Sequence, residues 1–162
     1  MPEAMDLRMH YLILFKSAAT GSADIIPAQR VIGRIMLEWV LFRKYLSNED
    51  RIETLAAGAG VLREDFASFL WACTGERFLT IRRRLRLEEA KSMLVDGSGK
   101  SFAQIAYEIG FQDKSDFRKA FKDETGFSPR AWRESGGRKI RCRIRELRDR
   151  GRNHCPAPRT SV

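Results

Sequence analysis

Apolar residues recur at helical spacing through most of this chain, and no stretch of any length alternates as a half-buried strand would. From Val31 to Leu46 (VIGRIMLEWVLFRKYL), Val31, Ile32, Ile35, Trp39, Phe42 and Leu46 share one broad face, which predicts a helix with that face in the core. Met36, Val40 and Leu41 are a surplus beyond that face, read as core in preference to a surface for a partner. From Phe78 to Val95, Phe78, Ile81, Leu85, Ala90 and Leu94 lie on or near one stripe, closed by Gly97, which predicts a single long helix. Residues 1–27, with Gly21-Ser22 and Pro27 and few periodic positions, are expected to be irregular.

The sharpest pattern is residues 101–129, SFAQIAYEIGFQDKSDFRKAFKDETGFSP. Ser101 can cap a first helix, with Gln104 completing a capping box. Phe102, Ile105, Ala106 and Ile109 form its apolar face, and Gly110 accepts the left-handed backbone of a sharp exit. Asp113 is placed to cap a second helix, in which Phe117, Ala120 and Phe121 point inward. Lys114, Ser115, Asp116, Arg118 and Lys119 are left for solvent or a ligand. That is a helix-turn-helix with a polar reading face.

The unit has an upstream copy. Leu55-Ala56 and Gly60 match Ile105-Ala106 and Gly110 at an offset of 50; Phe66, Leu70 and Gly75 match Phe117, Phe121 and Gly126 at an offset of 51. One residue fewer in the first turn explains the slip, and the repeated skeleton reads as a duplicated supersecondary unit. The long helix between the copies would hold them at a fixed separation.

These spacings, Gly75 to Ile81, Arg86, Ala90 and Leu94, then Ile105-Ala106, Gly110-Phe111, Phe117, Phe121, Gly126, Ser128-Pro129 and Trp132-Arg133, resemble the DNA-binding domain of the AraC/XylS family of bacterial transcription regulators. The resemblance covers about residues 31–133. It implies an all-α fold, two helix-turn-helix subdomains joined by a long linker helix as a homeodomain-like pair, whose recognition helices enter successive major grooves. It places the first unit at about 51–75, the linker helix at about 77–96 and the second unit at about 101–125, between an irregular segment 1–30 and a basic tail 134–162.

Carried onto this sequence residue by residue, the resemblance gives base-reading positions Lys114, Ser115, Asp116, Arg118 and Lys119 in the second unit. In the first it gives Glu64, Ala67 and Ser68. Arg118 and Lys119 can donate to guanine O6 and N7, whereas Asp116 can only accept. Phosphate contacts fall to Arg63, Thr80, Arg83 and Arg130, with Arg82 and Arg84 as further cations on the linker helix. Arg86 matches a linker-helix arginine that we read as structural. The first unit looks weak: Leu62 holds the N-cap place, Glu64-Asp65 bring negative charge toward phosphates, and Leu70, Trp71 and Cys73 make the helix apolar. A short or lopsided site is expected, anchored by the first unit and read by the second.

Charge sharpens the picture once it is located. The chain of 162 residues carries a net +9, but residues 1–129 hold 19 Lys and Arg against 18 Asp and Glu, while residues 130–162 hold 11 against 3. An arginine-rich arm would neutralise phosphates without reading sequence; a solvated terminus with no assigned task is the alternative. Three cysteines with no CxxC pair argue against a disulfide framework, and two histidines near the ends argue against zinc. The N-terminal apolar run is too short for a signal core or membrane span, so a bacterial cytoplasmic, nucleoid-associated location is expected. Fifty residues before the first unit leave no room for a sensor domain, which suggests a stand-alone reader.

No nucleophile constellation, phosphate loop or carboxylate pair marks an enzyme, and Cys73 reads as a small core residue. The expectation is a regulator that binds double-stranded DNA, with RNA polymerase as a possible second partner. It would need no cofactor or membrane and act as a monomer or weak homodimer. The alternative is a degenerate family member whose first unit, through exposed Phe69 and Trp71, docks on a regulator or on RNA polymerase.

Overall fold

The computed structural model describes residues 6–21 and 27–136, and these are all-helical. Eight helices follow one another: α1 (Leu7–Thr20), α2 (Pro27–Leu41), α3 (Ile52–Ala59), α4 (Arg63–Thr74), α5 (Phe78–Val95), α6 (Phe102–Glu108), α7 (Lys114–Thr125) and α8 (Pro129–Glu134). A 3-10 turn at Lys44–Leu46 separates α2 from α3. Helices α3–α4 and α6–α7 are the two helix-turn-helix units. Their second helices end alike, at Gly75 with φ 69° and Gly126 with φ 78°.

The N-terminal segment departs from the expected irregular stretch. Residues 7–20 form α1, capped by Asp6, whose carboxylate accepts the Arg8 N–H at 3.2 Å. Tyr11 and Phe15, one turn apart, are buried against α2. The hairpin is antiparallel, because Arg8 reaches the Leu41 carbonyl while Gly33 lies against Ala18 and Ala19. A Cβ on Gly33 would sit 2.8 Å from the Ala19 nitrogen, so glycine sets how closely the helices approach. This hairpin takes up most of the surplus apolar residues of α2, the reading preferred for them. Met36 and Val40 are fully buried, whereas Val31 is exposed.

The helix expected to run to Leu46 stops at Leu41. Arg43 takes a left-handed φ of 53°, and the following 3-10 turn rotates Tyr45 into the core, leaving Phe42 71% exposed. The Tyr45 hydroxyl then donates to Glu89 at 2.6 Å. Inserting a large aromatic here outweighs one more helical turn, since burying such a ring stabilises by about 1.5–3 kcal/mol.

Two cores share α5. Phe78, Ile81 and Leu85 pack with α1, α2, α3 and α4; Leu87, Ala90 and Leu94 pack with α6, α7 and α8. Leu46 touches both. Arg86, buried at the junction, donates to the carbonyls of Tyr45 (2.6 Å), Ser47 (2.8 Å) and Gly110 (2.9 Å) and to Asn48 Oδ1 (2.9 Å). One guanidinium therefore ties the segment before α3 to the turn of the second unit, the structural part read for it. Burial among neutral acceptors pushes its pKa down to about 10.

Candidate nucleic-acid interface

Helix α7 is oriented by a row of rings. Phe111 meets Phe117 edge-on at 5.8 Å, Phe117 meets Phe121 at 5.7 Å, and Phe121 meets Trp132 of α8 at 5.7 Å. The Asp113 carboxylate accepts the Ser115 N–H and so caps the helix, and this bond holds its carboxyl below the usual range. With Phe117, Ala120 and Phe121 fixed inward, Lys114, Ser115, Asp116, Arg118 and Lys119 all emerge exposed. Lys114, Arg118 and Lys119 form no ion pair among the described residues.

The preceding helix is held locally too. Ser101 and Gln104 form the full capping box, and Arg133 lies over the Phe102 ring at 4.3 Å while donating to the Lys100 carbonyl at 2.6 Å.

Helix α4 presents a different surface. No side chain caps it at Leu62. Phe66, Phe69 and Leu70 are buried, which corrects the expectation that Phe69 is exposed. Glu64, Ala67, Ser68 and Trp71 recur at one-turn spacing on the outer face, and Trp71 is 60% exposed. At the same offset of 51 these positions match Ser115, Arg118, Lys119 and Lys122. The second unit thus shows three cations where the first shows an alanine, a serine and a tryptophan. Arg63 is paired to Glu53 at 2.7 Å.

The linker-helix cations divide. Arg82 is buried, its guanidinium 4.8 Å above the Phe78 ring and 5.7 Å from Trp39, and Arg84 is bound between Glu76 and Glu124. Neither is available to a phosphate, contrary to the reading of the sequence; packing and local carboxylates have absorbed them. Thr80 and Arg83 are exposed, the latter 3.5 Å from Asp123. Arg130 is exposed and pairs with Glu134 at 2.7 Å.

A pocket that no periodicity in the sequence marks opens where three helix starts meet. Phe102, Lys114, Arg118, Ser128, Pro129 and Arg130 line its volume of about 220 Å³ where α6, α7 and α8 begin. The signal available was Ser128-Pro129, an N-cap followed by proline at the first helical position, which starts α8 beside α7. Cys73, half-buried, has its thiol pKa raised by burial, as suits packing. Among the described residues no His, Cys, Asp and Glu group could hold a metal, and no helix is long and apolar enough to cross a membrane.

The family profile described as a helix-turn-helix domain matches residues 55–135. An uncharacterized HTH-type transcriptional regulator in the cgkA 5' region of Pseudoalteromonas carrageenovora is 31% identical over 91 residues, 54% of this chain. The chain spans about half (51%) of that relative's length. Among solved structures, the C-terminal domain of AraT, a response regulator from Geobacillus stearothermophilus, superposes with a TM-score of 0.56 at 20% identity, covering 70% of this chain and 88% of that one. The C-terminal domain of the two-component response regulator yesN from Fusobacterium nucleatum gives 0.55 at 20% identity, over 67% and 99%. A DNA-binding transcriptional dual regulator from Escherichia coli K-12 gives 0.54 at 15% identity, over 73% and 98%. At these identities the likeness is one of fold.

Proposed function

Because the chain belongs to the AraC-type helix-turn-helix family, we propose that it is a DNA-binding transcription regulator that reads the major groove mainly through α7. The observation that carries this is the outer face of α7, where cations with no ion-pair partner among the described residues stand on a helix whose roll is fixed by packed rings. An α-helix fits the major groove, and Lys119 can donate to guanine while Asp116 and Ser115 accept. Residues 31–133 form the DNA-binding domain in this reading. Helix α4 enters the neighbouring groove with fewer contacts: Glu64 accepts from cytosine N4, Ala67 packs on a thymine methyl, and Ser68 reads either edge. Thr80, Arg83 and Arg130 hold the backbone, Arg63 doing so once released from Glu53. Both units lie on one chain, so a monomer suffices, acting on chromosomal DNA in the bacterial cytoplasm.

A selection of the full chain against random duplex DNA, at moderate salt and read by sequencing, tests this. An enriched motif with one strong and one weak half is the expected result. Binding without enrichment would refute it. A second reading has its own observation, the exposure of Trp71 beside Glu64 on α4. There the first unit docks on another regulator or on RNA polymerase, and Trp71→Ala would abolish activation in cells while leaving the selected motif unchanged.

A further inference from the structure

We propose that Lys114, Arg118 and Arg130 form a pocket for one phosphodiester of the DNA backbone, so that Arg118 is a phosphate ligand and not a base reader. The inference rests on duplex DNA being the ligand of α7, as proposed above.

Two of the three cations, Lys114 and Arg118, have no ion-pair partner among the described residues. The third, Arg130, has only Glu134, in a pair so exposed that solvent screens it and an anion can displace it. Because these three cations line the same space of about 220 Å³, an anion placed there would meet all of them. Phe102 and Pro129 supply apolar walls, which keep water off one side and strengthen the attraction of the guanidinium forks for phosphate oxygens. Ser128 accepts the Ala131 N–H at 3.2 Å, and its own O–H remains able to donate.

The position of Arg118 decides its role. It lines this pocket with α8, whereas Lys119, its neighbour on the outer face, does not. The first unit does not repeat this set of side chains. At the offset of 51, Arg118 corresponds to Ala67, Arg130 to Leu79 and Ser128 to Arg77; Lys114 corresponds to Arg63, already taken by Glu53. The pocket therefore clamps the second unit alone and sets which unit reads.

The test uses the full chain and the duplex motif obtained by selection, with single methylphosphonate linkages placed in turn along each strand. Arg118→Ala should weaken binding to preferred and scrambled duplexes by the same factor and lower the salt slope by up to ~0.9. Arg118→Lys should recover most of the loss, since a point charge serves a phosphate. One methylphosphonate in the stronger half-site should weaken wild type more than it weakens Arg118→Ala, in which Lys114 and Arg130 still hold that phosphate. A loss confined to one base pair, with every methylphosphonate additive, would overturn the proposal and make Arg118 a base reader. If wild type enriches no motif, the reading of α7 as a DNA face fails first, and the pocket assignment with it.

Discussion

At the scale of single residues, the junction between the two units turns on Gly110 and Arg86. Gly110 holds φ 86°, and a Cβ there would collide with the Leu46 carbonyl oxygen and lie 2.7 Å from the Arg86 guanidinium carbon. Gly60, its counterpart in the first unit, holds φ 67° with open space around it. Alanine at Gly60 therefore meets only the left-handed penalty, ~1–2 kcal/mol. Alanine at Gly110 adds overpacking, for ~2–5 kcal/mol in all. Urea unfolding followed by tryptophan fluorescence should rank them in that order. Arg86→Met should cost ~3 kcal/mol or more, because the carbonyls of Tyr45, Ser47 and Gly110 lose their donor and an unsatisfied buried acceptor costs ~1–3 kcal/mol. A loss under ~1 kcal/mol would show that water replaces the guanidinium. On the reading face, Lys119→Ala should relax preference at one or two base pairs, by ~1–3 kcal/mol of discrimination. The same selection on Arg118→Ala should return an unchanged motif at lower affinity, so the two neighbours separate cleanly.

At the scale of elements, what was legible in the sequence follows where the local signals are. The second unit was readable to within a residue or two because Ser101, Asp113 and Ser128 cap three successive helices with their own side chains. Helices α3 and α4 have no such caps at Arg51 and Leu62, and only the repeated apolar skeleton revealed them. Helix α1 was missed for another reason. Leu7, Tyr11, Leu14, Phe15 and Ala18 do keep a helical spacing, but Met9, Leu12 and Ile13 fill the other faces, so no stripe stands out. Its helicity comes from packing on α2, which the sequence pattern does not display. The pocket at α6, α7 and α8 was equally invisible, since it depends on how three helix starts converge. The α1–α2 contact gives a direct check. Gly33→Val would put a branched side chain into the backbone of Ala18 and Ala19 and should destabilise by ~1–3 kcal/mol. Met36 and Val40 would become exposed with it, and increased hydrogen exchange confined to α1 and α2 would report that opening. Unchanged exchange there would mean the hairpin absorbs the bulk elsewhere.

At the scale of the whole molecule, charge and architecture pull apart. Residues 1–136 hold 21 Lys and Arg against 19 Asp and Glu, whereas residues 137–162 hold 9 against 2 and lie outside the described residues. Many of the cations in the body are already engaged: Arg86 by carbonyls, Arg84 by two glutamates, Arg63 by Glu53. A body so close to neutral draws little long-range attraction to a polyanion, and in the proposed reading its specificity comes mainly from the exposed side chains of α7. Beyond the phosphate contacts proposed for Thr80, Arg83, Arg118 and Arg130, most of the non-specific affinity and its salt dependence is expected from residues 137–162, because each neutralised phosphate contributes ~0.9 to the slope of log K against log salt. A chain ending at Gly136 should keep the selected motif, since every proposed base contact remains, while binding all duplexes more weakly with a slope lower by several units. Filter binding at four or five salt concentrations measures both quantities at once. If the shortened chain kept its slope but lost the motif, sequence reading would lie in the basic segment, and α7 would be a scaffold for it. If both expected results hold, the phosphate arm and the reading helix are separable parts of one chain, and salt sensitivity can change without altering which sequence is read.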